Sequence, residues 1–222
     1  SMANSLSNNN KNAKIIYKNV SVIISVRNES RNLYNLINLL FNQNYPKELY
    51  EVIIVNDRST DNTDKILQDS ILKYDNLKII TIDNTPIDWA PKKWALNQAI
   101  KESNGDIIIQ TDGDCIMGNK WIETIVMYFS MNNVGFVCGM SPLISKNVFI
   151  NQLSLLDSIA QDAFSASCIQ LNFPLTCSGR NMAFTKKAFD EVSGYENISE
   201  IISGDDDLLL HKISNLTNYK TL

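Results

Sequence analysis

Four short runs of β-branched residues, each followed by a polar or helically spaced stretch, restrict the fold of this chain more than any other feature. The runs are Val20-Ser-Val-Ile-Ile-Ser25, Glu51-Val-Ile-Ile-Val55, Leu77-Lys-Ile-Ile-Thr-Ile82 and Asp106-Ile-Ile-Ile-Gln110. Apolar runs of this length suit strands buried on both faces, as in a parallel sheet. Between them Leu33, Leu36, Ile37, Leu40 and Phe41 recur with helical spacing, Ile66, Leu67 and Ile71 do much the same, and Trp94 to Ile100 forms a shorter segment. Alternation of this kind predicts right-handed βαβ units, hence an α/β fold with a central, mostly parallel sheet flanked by helices. Ligands of such sheets bind beyond the carboxyl ends of the strands, so chemistry is expected just after each run.

The second half is less regular. It predicts a helix over Trp121 to Phe129, a strand over Val134 to Cys138 and a long helix from Val148 to about Gln170. A strand end at Ala183 and Phe184, a helix over Lys186 to Val192 and a helix start at Asp205 complete it. Neither a repeat nor a flexible linker interrupts the pattern, so a polar tail over 1–19 and one domain over 20–222 are expected. Ser1 before Met2 reads as a scar of tag cleavage, and the chain stops soon after a helix begins. Both lead to the expectation of a piece of a longer chain truncated at its C-terminal side.

Composition excludes several classes. With 222 residues, 44% of them hydrophobic and 20% charged, the chain has the balance of a soluble globular protein with a sizeable core. A net charge of −4 argues against a nucleic-acid binder. The four cysteines form no Cys-x-x-Cys pair and His211 is the only histidine, which argues against structural zinc and a histidine triad. The thiols are expected to be reduced, in a cytoplasmic setting. The longest uncharged stretch, Thr124 to Ser145, is broken by Ser130, Asn132, Asn133, Gly135 and Pro142, so it is not read as a membrane span.

Three acidic clusters fall at expected ligand positions. Asp57 ends the second run and could accept hydrogen bonds from a base or ribose, while Ser59, Thr60 or Asp61 caps the helix starting near Thr63. Asp112-Gly113-Asp114 follows the fourth run. Two carboxylates around a glycine suit Mg²⁺ or Mn²⁺ shared with substrate phosphates, although a bare Asp-x-Asp is most often a turn. Asp205-Asp206-Asp207 precedes Leu208-Leu209-Leu210, where a helix dipole alone would favour negative charge.

Together these residues resemble a family 2 glycosyltransferase of the nucleotide-diphospho-sugar transferase type, with the Rossmann-like GT-A fold. Val20 to Glu29 is similar to that family's opening strand and loop, with Ser25 where Pro or Ala is common. Val55-Asn-Asp-Arg-Ser-Thr-Asp-Asn-Thr63 resembles its second signature. Lys92-Lys93-Trp94-Ala95-Leu96-Asn97 resembles Gly-Lys-x-x-Ala-Leu-Asn, with Pro91 in place of Gly. Asp112-Gly113-Asp114 matches the metal-binding Asp-x-Asp, and Ser178-Gly179-Arg180-Asn181-Met182-Ala183-Phe184 matches an acceptor-side segment. Gly204-Asp205-Asp206 stands where the family has Gly-Glu-Asp.

The resemblance implies a nucleotide-diphospho-sugar donor, a UDP-sugar first among them, and a carbohydrate or lipid-linked acceptor. Ser25, Arg27, Glu29, Asp57, Lys92 and Asp112 would hold the donor, and Asp114 with Asp112 would hold Mn²⁺ or Mg²⁺. Gly179, Arg180 and Asn181 would face the acceptor. Asp206, beside Asp205, would take the proton from the acceptor hydroxyl in an inverting displacement. The Val-Arg-Asn-Glu opening and the Gly-Asp-Asp-Asp-Leu-Leu run are more similar to membrane-associated members, which implies membrane association of a longer protein at its cytoplasmic face. Two rivals remain: a module that binds a nucleotide sugar or partner without transfer, and a sugar-nucleotide pyrophosphorylase, whose glycine-rich basic loop has no counterpart in Ser25 to Ser30.

Overall fold

A computed structural model describes residues 16–143 and 148–222; most of the expected polar tail, 1–15, lies outside the described residues. The four β-branched runs become β1 (Val20–Val26), β2 (Tyr50–Asp57), β3 (Leu77–Ile82) and β4 (Ile107–Gln110). They are connected by α1 (Leu33–Phe41), α2 (Thr63–Ile71) and α3 (Pro91–Lys101). The chain continues through α4 (Trp121–Tyr128), β5 (Val134–Cys138), α5 (Val148–Gln170), β6 (Met182–Thr185), α6 (Lys186–Glu191), α7 (Asp207–Leu216) and β7 (Lys220–Thr221).

All seven strands form one sheet in the order β3-β2-β1-β4-β6-β5-β7. β1 runs parallel to β2 and β4, and β2 to β3, whereas β6 lies antiparallel between β4 and β5. Val20 is in register with both Tyr50 and Ile107, and Val26 with Asn56, so the loops after β1, β2 and β4 open on one edge.

Successive strand residues point to opposite faces. Val22, Ile24, Val52, Ile54, Ile107 and Ile109 meet α1 through Leu33, Leu36 and Leu40 and α4 through Ile122 and Val126. Ile23, Ile53, Val55 and Ile108 meet α3 through Ala95, Leu96 and Ala99 and α7 through Leu209, Leu210 and Ile213. Burial on both faces is why the runs are apolar without alternation. α5 departs from this pattern. Its buried residues are Ser158, Ser165 and Cys168, while Leu153, Leu156 and Phe164 are exposed. Two features were not anticipated: β7, paired with β5, and the reversal of β6.

Candidate active site

The loops after β1 and β2 are stitched together. Asn28, at φ 59°, accepts the Thr60 N–H at 2.7 Å and donates its own N–H to Ser59 Oγ at 3.0 Å. Glu29 donates its N–H to Thr63 Oγ1 at 2.9 Å. Asp61 accepts the N–H groups of Ser30 (3.1 Å) and Thr63 (2.9 Å), so it ties the loops and takes the first N–H of α2, but the N-cap position is Asn62, without a side-chain cap bond, rather than Ser59, Thr60 or Asp61. Those hydrogen bonds hold the Asp61 carboxyl well below the usual carboxylate range.

Asp57 ends β2, buried, with both oxygens taken by the guanidinium of Arg58, at 2.8 Å from Nε and 3.1 Å from Nη2. Arg58 does this from a left-handed backbone, φ 55°. Ser25 lies half-buried on β1 opposite Val55, and Arg27 is exposed just beyond the strand. Glu29 opens α1: its carbonyl accepts the N–H groups of Asn32 and Leu33. A Cβ on Gly113 would come within 3.0 Å of Glu29 Cγ, so the loops after β1 and β4 touch.

Beyond β4 a cation sits between two carboxylates. Lys92 Nζ lies 3.1 Å from Asp112 Oδ1 and 3.1 Å from Asp205 Oδ2. Burial alone would favour the neutral amine, but Asp205 and Asp112 outweigh it and raise the Lys92 pKa. Asp205 also accepts from Gln110 Nε2 at 2.9 Å, and Gln110 Oε1 accepts from the buried Tyr195 hydroxyl at 3.4 Å. Asp114 is exposed on the same loop as Asp112.

The three adjacent aspartates point three ways. Asp205 faces Lys92 and Gln110. Asp206 Oδ2 accepts the Gly179 N–H at 2.8 Å, and Asp207 Oδ1 accepts the Cys177 N–H at 2.8 Å and the Thr176 hydroxyl at 3.0 Å. Gly204, at φ 76°, makes the turn that delivers them, a conformation glycine adopts without penalty. The Asp206 carboxyl is raised, first by burial and then by its neighbours Asp205 and Asp207, against the N–H donors of Asp207 and Gly179.

A cavity of about 920 Å³ is lined by Lys92, Asp112, Gly179, Arg180 and Asp206 together with Met140 and Ile169. Residues expected on the donor side (Lys92, Asp112) and on the acceptor side (Gly179, Arg180) therefore share one space. Asn181 spends its amide inside the protein, accepting from Trp121 Nε1 at 3.0 Å and donating to the Met140 carbonyl at 2.8 Å. Trp89 and Trp94 pack edge-on against each other, centroids 5.2 Å apart, and partly against the core. Sequence reasoning missed Gln110 and Tyr195 as supports of Asp205; a polar side chain ending a fully buried run was the available signal for Gln110.

Among the described residues no group of three or more His, Cys, Asp and Glu could hold a metal ion. The Asp112-Gly113-Asp114 loop offers hard carboxylate oxygens, with Asp112 already within reach of a cation, the Lys92 ammonium. Such a set fits Mg²⁺ or Mn²⁺ when substrate phosphates complete the shell, because these ions are bound by one or two carboxylates plus phosphates.

A mostly parallel sheet flanked by helices is the GT-A glycosyltransferase fold, and here carboxylates stand at the end of β2, beyond β4 and in the turn before α7. Comparison with known proteins narrows the class. The profile described as glycosyl transferase family 2 matches residues 21–193, and the chain belongs to that family. It is 38% identical over 120 residues to glycosyltransferase AglE of Haloferax volcanii, covering 54% of this chain and 38% of that protein. It is 33% identical over 118 residues to beta-monoglucosyldiacylglycerol synthase of a Nostoc species, covering 53% of this chain and 25% of that one. The chain thus spans well under half of these relatives' length. In fold it is similar to mannosyltransferase PcManGT of Pyrobaculum calidifontis in complex with GDP-Man and Mn²⁺, with TM-score 0.72, 19% identity, and coverage of 93% of this chain and 55% of that one. It is likewise similar to S. aureus TarS in complex with UDP, with TM-score 0.69, 19% identity, and coverage of 92% and 57%.

Proposed function

We propose that the chain transfers a sugar from a nucleoside-diphospho-sugar to an acceptor hydroxyl by one in-line displacement, with Asp206 as general base. The observation that carries this is the single cavity shared by Lys92, Asp112 and Asp206. A half-buried carboxylate with a raised pKa, open to that cavity, suits proton abstraction from a hydroxyl. Asp206 is also fixed by the Gly179 N–H, so its second role partner is backbone rather than a mobile side chain.

The donor would lie along the edge formed by the loops after β1, β2 and β4, with Asp57 and Arg58 toward the nucleoside and Lys92 toward the diphosphate. Ser25, Arg27 and Glu29 would flank the nucleoside, and Gly179 and Arg180 the acceptor, while Asn181, expected beside them, holds the cavity wall at Met140 instead. A divalent ion held by Asp112 and Asp114 would, when bound, neutralise charge developing on the leaving diphosphate. Lys92 supplies a second, fixed positive charge on the same side. A displacement of this kind inverts the anomeric carbon and needs no covalent nucleophile.

A UDP-sugar is the first donor to try, and the relatives' names point to carbohydrate or lipid-linked acceptors. Membrane association is proposed for the longer protein only; among the described residues no helix is long and apolar enough to cross a membrane. Asp206→Asn is the test. Donor binding should persist while transfer falls by a factor on the order of 10²–10⁴, the usual worth of a positioned base. A variant with wild-type turnover would remove Asp206 from the role.

A further inference from the structure

Lys92 and Lys93 are neighbours on α3 with opposite destinations. Lys92 reaches the carboxylates of the cavity. Lys93 is 1% exposed, and its ammonium donates to three backbone carbonyls: Ile198 at 2.9 Å, Ile201 at 2.7 Å and Ser203 at 2.9 Å. An ammonium has three N–H donors, so every one is used. Burying such a charge is costly unless it is fully hydrogen-bonded, which is the arrangement found.

The three carbonyls belong to the segment that leads into Gly204, Asp205 and Asp206. The same end of α3 holds that segment once more, through the Ala90 N–H to the Ser199 carbonyl at 2.7 Å. Beyond Ile198, which is half-buried against the core, side-chain packing contributes little, since Ile201 and Ile202 are 47% and 86% exposed. Polar bonds from α3 therefore set where the loop sits. Gly204 then turns the chain directly into Asp205, so a single residue separates the Ser203 carbonyl held by Lys93 from the aspartates. Lys93 also lies close enough to Asp205 and Asp206 for their charges to act on it.

We propose that Lys93 is the positioning residue for the general base: by gathering the carbonyls of residues 198, 201 and 203 it fixes the loop that aims Asp206 into the cavity. The proposal rests on the reading of Asp206 as base. It assigns Lys93 no contact with substrate; that side of the division falls to Lys92.

The test compares Lys93→Met, Lys93→Gln, Lys93→Arg and Asp206→Asn in the full chain. UDP release from UDP-glucose with Mn²⁺, water serving as acceptor, gives turnover, and titration with UDP and Mn²⁺ gives donor affinity. Amide hydrogen exchange across 198–206 reports the loop without any need for activity. Lys93→Met should keep UDP affinity, lose turnover by a factor on the order of 10², as expected for a displaced catalytic group, and exchange faster over 198–206. Lys93→Arg should recover part of both. Asp206→Asn should lose turnover with the loop's exchange unchanged.

Wild-type turnover in Lys93→Met beside an inactive Asp206→Asn overturns the positioning role, as does unchanged exchange over 198–206. Normal turnover in Asp206→Asn overturns the base assignment instead, and leaves the exchange result to judge the loop. Should Lys93→Met not fold, Lys93→Gln is read by the same criteria, because its amide still satisfies part of the carbonyls.

Discussion

The backbone N–H of Gly179 and Oδ2 of Asp206 are joined across 2.8 Å, a bond that ties the β6 approach to the start of α7. A Cβ at Gly179 would meet that same oxygen at 3.2 Å and Asp205 Oδ2 at 3.5 Å. Gly179→Ala should therefore push Asp206 off line rather than unfold the protein. Turnover is expected to fall by a factor on the order of 10–10² at nearly unchanged melting temperature, since small displacements of a reacting group are expensive. Paired kinetics and thermal melts check it. An unaltered turnover would mean that the carboxylate tolerates the move.

The pH profile follows from the raised carboxyl of Asp206. As a general base Asp206 must be ionised, so the acid limb of kcat/KM should lie above the pKa of an unperturbed aspartate. Asp205→Asn removes a neighbouring negative charge and should move that limb to lower pH. The stability consequence has the opposite sense from a salt-bridged aspartate. A raised native pKa stabilises the fold while the group is protonated, and that contribution is lost as pH rises through the native value. Asp206→Asn should accordingly melt no lower than wild type at neutral pH, although it is the less active protein.

Divalent metal should govern nucleotide affinity. Asp112 and Asp114 would otherwise face a diphosphate with Lys92 and Arg180 as the cations lining the cavity, and Lys92 is already shared between Asp112 and Asp205. Calorimetric titration of UDP should show weak binding in EDTA and tighter binding in Mn²⁺, with the gain reduced in Asp114→Asn. Equal affinity under both conditions would withdraw the metal role from this loop.

Arg58 combines a left-handed backbone with a paired buried acid. Arg58→Ala leaves Asp57, 5% exposed, without its counter-ion, and should cost about 1–3 kcal/mol at neutral pH. Arg58→Gly should cost less, because glycine takes φ 55° without strain. Urea unfolding of the two variants decides the order. If Gly is the worse of the two, backbone strain is not what the position carries.

Much of the fold was legible because burial and period are local properties. Val20 to Val26 and Ile107 to Gln110 declare two-faced burial in their composition alone, and Leu33 to Phe41 declares one helical face. Asp57, Asp112 and the Asp205–Asp207 cluster were legible as candidates from their places at strand ends and a helix start, whereas the choice of Asp206 within the cluster came from the resemblance to the family's Gly-Glu-Asp.

What only the tertiary structure decided is which groups meet. Pairing partners far apart in the chain leave no local signature, so the insertion of antiparallel β6 between β4 and β5 could not be read from Ala183 and Phe184. The same holds for Lys92 and Lys93: one dipeptide in the sequence, a cavity cation and a buried loop anchor in the fold. A helix turns its successive side chains by about 100°, and what stands in each direction depends on the elements packed there. Residue type limits the chemistry available at each position, and packing chooses its partner.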